Sequence, residues 1–409
     1  MRQFMLSLAA FSLLATLLVV GSAQSQVSSG EARDYIVTLQ PGVDAAAEAR
    51  SSGGAVGHIY RHALNGFSAT LAPQAVTALR RNPNVLSIVE DQVVTVHAKP
   101  CANPPCSGGG GGGGGQSSQV TPTGVARIGG PKTGTIDVDV AVIDTGISSH
   151  PDLTIQGGVN CSSGKSYSDG HGHGTHVAGT IGAKNDTIGV VGVAPGARLW
   201  AVRVLNNAGS GSWASIICGL DWVTANAGII EVANMSLGGT GSDSGGCSGH
   251  PFHQAICNTV AAGVTVVVAA GNESDDAANH VPAAYDEVIT VSALADFNGA
   301  AGGGAAATCR PDGDDTFADF SNYGADVDLI APGVCILSTW KDGSYNTISG
   351  TSMASPHVAG AAALYIAGAT GSRPAPAEVN AALQRAGNSN WNTSGDPDGI
   401  QEKLVWIGS

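Results

Sequence analysis

Beyond residue 118 the chain alternates short, predominantly apolar runs with stretches of helical pattern, and this alternation narrows the choice of fold more than any other feature. The apolar runs cover residues 138–143, 198–205, 229–235 and 264–269. Helical patterns open near His173, over about 212–226, near 252–262 and from Ser352. Strands that are apolar on both faces must be covered on both faces, so repeated β-α-β units of this kind predict a parallel sheet with helices on both sides. Functional groups on such a sheet collect at the carboxyl ends of its strands. Asp144, directly after the run 138–143, stands at one of them.

The 409 residues allow two or three domains, and 59 glycines with few aromatic or charged residues imply small-residue packing and many tight turns. Residues 1–23 read as a secretory signal: Arg2, an apolar run over 6–20, then Gly21-Ser22-Ala23. The run falls short of the ~20 residues that span a bilayer, so a stable membrane anchor is not expected and the product is expected to be secreted. All eight cysteines lie beyond residue 98, which fits an oxidising compartment. Their spacing leaves the pairing open apart from the proximity of Cys247 to Cys257, and no Cys-x-x-Cys pair suggests a metal. Residues 1–98 carry six basic and six acidic groups, so the whole net charge of −14 sits beyond them. Nucleic acid is therefore not an expected partner, because phosphate neutralisation needs a basic face; a monomer is the expected state.

Residues 24–98 read as a small α+β unit, with strands at 35–39, 66–71 and 85–96 and a helix at 73–80. Residues 99–117 include eight consecutive glycines, 108–115, and read as a flexible tether. Residues 118–409 form the large domain.

The segment Gly350-Thr351-Ser352-Met353-Ala354-Ser355-Pro356-His357 places Ser352 at the amino end of an apolar helix. A serine hydroxyl becomes a nucleophile only beside a histidine base that is itself oriented by a carboxylate. His173, in His173-Gly174-Thr175-His176, and Asp144, before Thr145-Gly146, supply these types. His171, His173 and His176 also read as a metal cluster, but no glutamate stands in a His-Glu-x-x-His arrangement, and that reading is rejected.

In residue identity and in the order Asp, His, Ser, these three motifs resemble the subtilisin-like serine peptidases. The likeness runs over about 118–370 and is closest to the proteinase K branch in 272–283 and 317–356. The resemblance implies a subtilisin-like α/β fold with helices on both faces of a parallel sheet. With Asn65-Gly66-Phe67-Ser68-Ala69 and Val89-Glu90-Asp91, it implies that residues 24–98 are a ferredoxin-like inhibitor propeptide that assists folding and then blocks the cleft. It also implies a self-processing endopeptidase acting on protein or peptide substrates through an acyl-enzyme, with the first cut between residues 96 and 100 and later trimming toward Ser118. A non-catalytic binding protein of the same fold, and an esterase or ligase using the same site, are the rival readings.

Residue by residue, the resemblance makes Ser352 the nucleophile, His173 the general base, Asp144 its orienting partner, and Asn272 the side-chain donor to the oxyanion. It makes Gly209-Ser210-Gly211 and Ser236-Leu237-Gly238 the two edges that take an extended peptide, with Ala270 and Gly271 walling the pocket for the residue before the cut. Large hydrophobic residues are its expected guests, although Glu273 and Asp275 near the rim could admit basic ones. His357 is expected to support the Ser352 helix. Structural Ca²⁺ is expected on Gln119, Asp152 and Asp186 with backbone oxygens of Lys184, Ile188 and Val190. A second ion is expected on Asp328 with backbone oxygens of Asp286 and Val288.

Overall fold

The computed structural model describes residues 30–96, 118–134 and 136–408. The expected signal and tether, with Cys101 and Cys106, lie outside the described residues.

The N-terminal unit runs β1 (Arg33–Leu39), α1 (Ala45–Ser51), β2 (Ala55–Tyr60), β3 (Gly66–Leu71), α2 (Pro73–Leu79), β4 (Val85–Glu90), with a short β5 (Val93–Thr95) leaving it. The first four strands form an antiparallel sheet in the order β2-β3-β1-β4, the β-α-β-β-α-β arrangement of a ferredoxin-like unit. Val37, Leu39, Ala49, Phe67, Leu71, Val76 and Leu79 fill its core. Asp44 starts α1 by accepting from the Ala46 and Ala47 N–H groups, and Pro73 opens α2 where its missing N–H costs nothing.

The large unit runs α3 (Thr123–Arg127), β6 (Asp139–Asp144), β7 (Thr154–Asn160), α4 (His173–Gly182), β8 (Arg198–Arg203), β9 (Ser210–Ser212), α5 (Trp213–Ala225), β10 (Val232–Met235), β11 (Gly239–Thr240), α6 (Pro251–Ala261), β12 (Thr265–Ala269) and β13 (His280–Val281). It continues through β14 (Ile289–Ala295), β15 (Thr316–Phe317), β16 (Leu329–Pro332), β17 (Ile336–Thr339), β18 (Tyr345–Ile348), α7 (Thr351–Gly368), α8 (Pro376–Ala386) and β19 (Lys403–Leu404). The main sheet is ordered β19-β16-β14-β12-β10-β6-β8-β7 and is parallel except where β15 joins β14. Along β6, Val140 and Val142 face a core that contains Val177 and Ile181 of α4 and Met353 and Val358 of α7. Ala141 and Ile143 face the opposite core, with Ile216 and Leu220 of α5 and Phe252 and Ile256 of α6. The strands are thus apolar on both faces because both faces are covered, as the alternation requires.

Strand order reverses at β6: the chain passes from it to β7 and β8 on one side, then to β10, β12, β14 and β16 on the other. A crevice opens where such a reversal separates the strand ends. Disulfides join Cys161 to Cys218, Cys247 to Cys257 as proximity suggests, and Cys309 to Cys335.

The N-terminal unit docks on α5 and α6. Ile36, Tyr60, Ala63, Leu64 and Val94 belong to the same buried cluster as the apolar faces of those helices. One oxygen of Asp221 on α5 accepts from the N–H groups of Arg61, His62 and Ala63 at 2.6–2.9 Å, and Asp91 accepts from the Ala214 N–H in the first turn of α5, where the helix dipole favours an anion. Hydrogen bonds to a charged acceptor contribute about 1.5–3 kcal/mol each. In the full-length chain, Asp221→Ala is expected to cut hydrogen-exchange protection of the 61–63 amides at least about tenfold while β1 and β3 stay protected. Unchanged protection at 61–63 would show that Asp221 does not hold the dock.

Candidate active site

Asp144 closes β6 at its carboxyl end and is fully buried. The Thr145 N–H donates to its Oδ1 at 2.7 Å, and Thr145 Oγ1 accepts from the Gly174 N–H at 2.9 Å, which links the strand end to the first turn of α4. His173, the first residue of α4, turns its Nδ1 to the Asp144 carboxylate, 2.8 and 2.9 Å from the two oxygens. Gly174 must be glycine, because a Cβ there would lie 2.2 Å from the Gly146 carbonyl oxygen. Burial alone would drive the His173 pKa down, but the charge of Asp144 and its hydrogen bond outweigh burial, and the net shift is upward. With Nδ1 held by the carboxylate, Nε2 is the nitrogen left to handle a proton, and among the described residues it has no partner.

Asp169, which the sequence reading missed, fixes the entry to α4. Its Oδ1 accepts from the His171 and Gly172 N–H groups, and its Oδ2 from the N–H and hydroxyl of Thr175. Gly172 meets this turn with φ 114°, a left-handed conformation suited to glycine. An aspartate shortly before a helix that starts without its own capping side chain is the signal that could have found it. The three histidines do not converge on a metal: His176 is neutral, pushed down to about 3 by burial, and pairs through Nε2 with the Ile336 carbonyl. His171 lies beside His173 at the level of Gly209.

Ser352 is the second residue of α7, whose first thirteen residues are all buried. Pro356 has no N–H, so the Ser352 carbonyl lacks its normal acceptor role at i+4, and the Ser236 hydroxyl donates to it instead at 2.8 Å. Asn234 completes the clamp, donating to Ser236 Oγ and accepting from the Ser355 hydroxyl at 2.6 Å. The Ser352 hydroxyl donates to the Ser236 carbonyl at 3.2 Å, longer than a usual O–H···O hydrogen bond, and makes no hydrogen bond to His173 Nε2. His357, neutral and pushed down to about 4 by burial, is hydrogen-bonded through Nδ1 to the Met353 carbonyl and supports the helix as expected.

Asn272, beyond the end of β12, accepts the Thr351 N–H on Oδ1 at 2.8 Å. Its planar amide therefore carries Nδ2 on the opposite edge, in a cavity wall it shares with Ser352. The Ser352 N–H, at the second position of α7, has no acceptor within the helix. The loop is propped by Asn322, fully buried and unrecognised in sequence: its Oδ1 accepts from the Glu273 and Asp275 N–H groups and its Nδ2 donates to the Ala270 carbonyl.

The cavity, about 260 Å³, is lined by Ser236, Leu237, Gly238, Ala270 and Gly271 as expected, and also by Thr240, Glu273, His280, Val281 and Ala283. One acidic residue, Glu273, which the sequence places near the rim, therefore stands in the wall. Glu273 Oε2, however, accepts from the Asn272 N–H at 2.7 Å and from Asn322 Nδ2 at 3.0 Å, and so is bound to its own loop. Gly209, Ser210 and Gly211 form the facing edge. Here β5 pairs antiparallel with β9, the Val96 N–H donates to the Gly209 carbonyl at 2.9 Å, and Thr95 bridges to Gly238, so the end of the N-terminal unit lies as an added strand between the two edges.

The residues expected to hold calcium are also brought together. Residues 118–120 run beside 187–190, with the Gln119 N–H on the Thr187 carbonyl and the Val120 N–H on the Gly189 carbonyl. Asp152 is fully buried; its Oδ2 accepts from the Val190 N–H and the Tyr345 hydroxyl, while its Oδ1 is buried with no donor. Asp186 faces solvent, and Gln119 Nε2 donates to the Lys184 carbonyl. Asp328 is differently engaged: Asn380, Gln384 and the Thr290 N–H together donate to both its oxygens, making it a link between α8 and β14.

Residues 135–401 match the subtilase family, and residues 22–97 match the peptidase inhibitor I9 family. Subtilisin NAT of Bacillus subtilis subsp. natto is 37% identical over 364 residues, covering 84% of this chain and 83% of that protein. An alkaline protease of Shouchella clausii is 41% identical over 305 residues, covering 73% and 68% respectively. Among solved structures, a cold adapted subtilisin-like serine proteinase superposes with a TM-score of 0.57 at 36% identity, covering 69% of this chain and 97% of that one. The chain belongs to the subtilase family of serine endopeptidases, and it carries an I9 inhibitor domain ahead of its peptidase domain.

Proposed function

We propose that Ser352, His173 and Asp144 form the catalytic triad of a secreted, self-processing endopeptidase, and that residues 24–98 restrain it until they are cut away. The observation that carries this reading is the buried His173–Asp144 pair, which commits Nδ1 to the carboxylate and leaves Nε2 for the proton of a nucleophile. The Ser352 hydroxyl attacks the substrate carbonyl as His173 Nε2 takes its proton. The Ser352 N–H and Asn272 Nδ2 receive the oxyanion, and the amino end of α7 favours the same charge. His173 then gives the proton to the leaving amine. Water, activated by the same imidazole, hydrolyses the ester to release the acid and restore Ser352.

Substrate is held as an added strand by residues 209–211 and 236–238. Leu237, Ala270, Val281 and Ala283 favour a hydrophobic residue before the cut, and the engagement of Glu273 with its own loop argues against a strict demand for lysine or arginine. The signal at 1–23 is removed on export, and the first internal cut falls between residues 96 and 100. Ser352→Ala is expected to abolish peptide hydrolysis and to leave the residue 24–409 precursor intact, whereas wild type yields a chain beginning between Ala98 and Gln119. Normal processing of purified Ser352→Ala, with outside proteases excluded, would refute the assignment.

Because only the neutral imidazole acts as base and the Asp144 carboxylate lifts the His173 pKa, kcat/KM is expected to rise with pH through a midpoint above the ordinary histidine value of ~6.5. A profile that is flat from pH 5 to 8, or that rises well below 6.5, would contradict this role.

The donor set around Asp152 fits calcium: a fully buried carboxylate oxygen with no donor, beside Asp186, the Gln119 amide and backbone carbonyls, all hard oxygen ligands. There the ion would tie the strand at 118–120 to the loop after α4. An ion bound only by the folded state stabilises it by about 2.7 kcal/mol at a hundred times its Kd. Chelation is expected to lower Tm by several degrees, and Asp152→Ala to remove most of that response. Equal chelator responses in Asp152→Ala and its parent would exclude this site.

A further inference from the structure

The C-terminal segment from Trp391 to β19 contains Asp396-Pro397-Asp398-Gly399-Ile400-Gln401-Glu402, with carboxylates at the first, third and seventh positions. The segment is folded back tightly. The Asp396 N–H donates to the Thr393 carbonyl, the Ile400 N–H to Asp398 Oδ1 at 2.7 Å, and the Gln401 amide to the Ser389 and Trp391 carbonyls. Gly395 and Gly399 turn the chain with φ 91° and 72°. Trp391 Nε1 donates to the Glu402 carbonyl at 3.0 Å, the Leu404 N–H donates to the Asn388 carbonyl at 2.8 Å, and β19 pairs with β16, so the loop is closed against the edge of the main sheet.

Inside this loop both carboxylate oxygens of Asp396 and both of Glu402 are shielded from solvent and accept no hydrogen bond. Glu402 is 5% exposed. A buried carboxylate without donors is costly to keep ionised, and chains that retain one supply a cation or a proton. The cations of this region are occupied elsewhere: Lys403 Nζ donates to Ser389 Oγ at 2.8 Å, and Arg127 pairs with Asp315 and Asp296 and donates to the Asn390 carbonyl.

We propose that Asp396 and Glu402 bind a calcium ion, separate from the one at Asp152, which clasps the C-terminal loop to the edge of the main sheet. Two carboxylates with both oxygens undonated suit the bidentate, irregular oxygen coordination of Ca²⁺; the stricter octahedron of Mg²⁺ keeps more of its waters. Asp398, whose Oδ1 is taken by the Ile400 N–H, adds charge at the exposed rim. The ion would lock Trp391 and β19 in place, while contributing nothing to the cleft.

The test uses full-length Ser352→Ala, which does not digest itself, stripped with chelator, dialysed against calcium, and analysed for bound metal by atomic emission. Glu402→Gln and, separately, Asp396→Asn are each expected to lose one calcium per chain relative to this parent. Asp152→Ala loses a different one, and the Asp152→Ala/Glu402→Gln combination loses two. The calcium-dependent rise in Tm should shrink in each single variant. An unchanged calcium count in a folded Glu402→Gln or Asp396→Asn would overturn the proposal. So would a Glu402→Gln that is more stable than its parent in chelator and in calcium alike, since that is the behaviour of carboxyls kept neutral by protons. Should Glu402→Gln fail to fold, Asp396→Asn alone decides the matter.

Discussion

The reversal of strand order at β6 is the constraint on which the cleft depends. Parallel strands all end on one side, and where successive crossovers leave in opposite directions no connection covers those ends. Asp144 ends β6, Ser236 follows β10 and Asn272 stands on the short loop after β12, so groups distant in sequence meet at one edge of the sheet. α7 then threads beneath the crevice, buried almost all round, and delivers Ser352 at its amino end. Its one internal defect, Pro356, is turned to account: the carbonyl it frees is taken by Ser236, on the strand end that also edges the pocket, so the proposed nucleophile and the proposed substrate edge are joined through one side chain.

The same edges receive the end of the N-terminal unit. An exposed strand edge offers unpaired backbone groups to any extended segment, and β5 fills that place between residues 209–211 and 236–238. Its ferredoxin-like body is anchored by apolar contact with α5 and α6 and by two carboxylates, one from each partner, that receive backbone N–H groups of the other. In the proposed function, inhibition and substrate recognition thus draw on one set of backbone hydrogen bonds.

Much of this was legible in the sequence, for reasons that differ by element. The run leading to Asp144 and the small-residue start of α7 announce themselves because burial on all sides leaves few residue types possible. α1 and β2 went unseen: α1 is a seven-residue, alanine-rich helix started by one capping aspartate, and β2 carries Gly57 and His58 where an alternating apolar pattern would be sought. β14 was missed although its seven residues are all buried, since Thr290 and Ser292 interrupt its apolar run. Expected strands at 229–235 and 85–96 proved shorter or divided, at Val232–Met235 and around the Asp91 turn. At the site, residues that do chemistry stand in recognisable local patterns. Asp169 and Asn322, which position them, contribute through hydrogen bonds to backbone, and the local sequence records little of that. Asp328 resembled a calcium ligand in sequence, but the two amides of α8 that occupy it are some fifty residues away.

The most direct test of the account is covalent labelling of the wild-type mature enzyme with a serine-directed phosphonate, followed by peptide mass spectrometry. The account requires one adduct per chain, on Ser352, formed in step with loss of activity, and no adduct at that rate in His173→Ala. An adduct on another serine that tracks the loss of activity, or full inactivation with Ser352 unmodified, would contradict it.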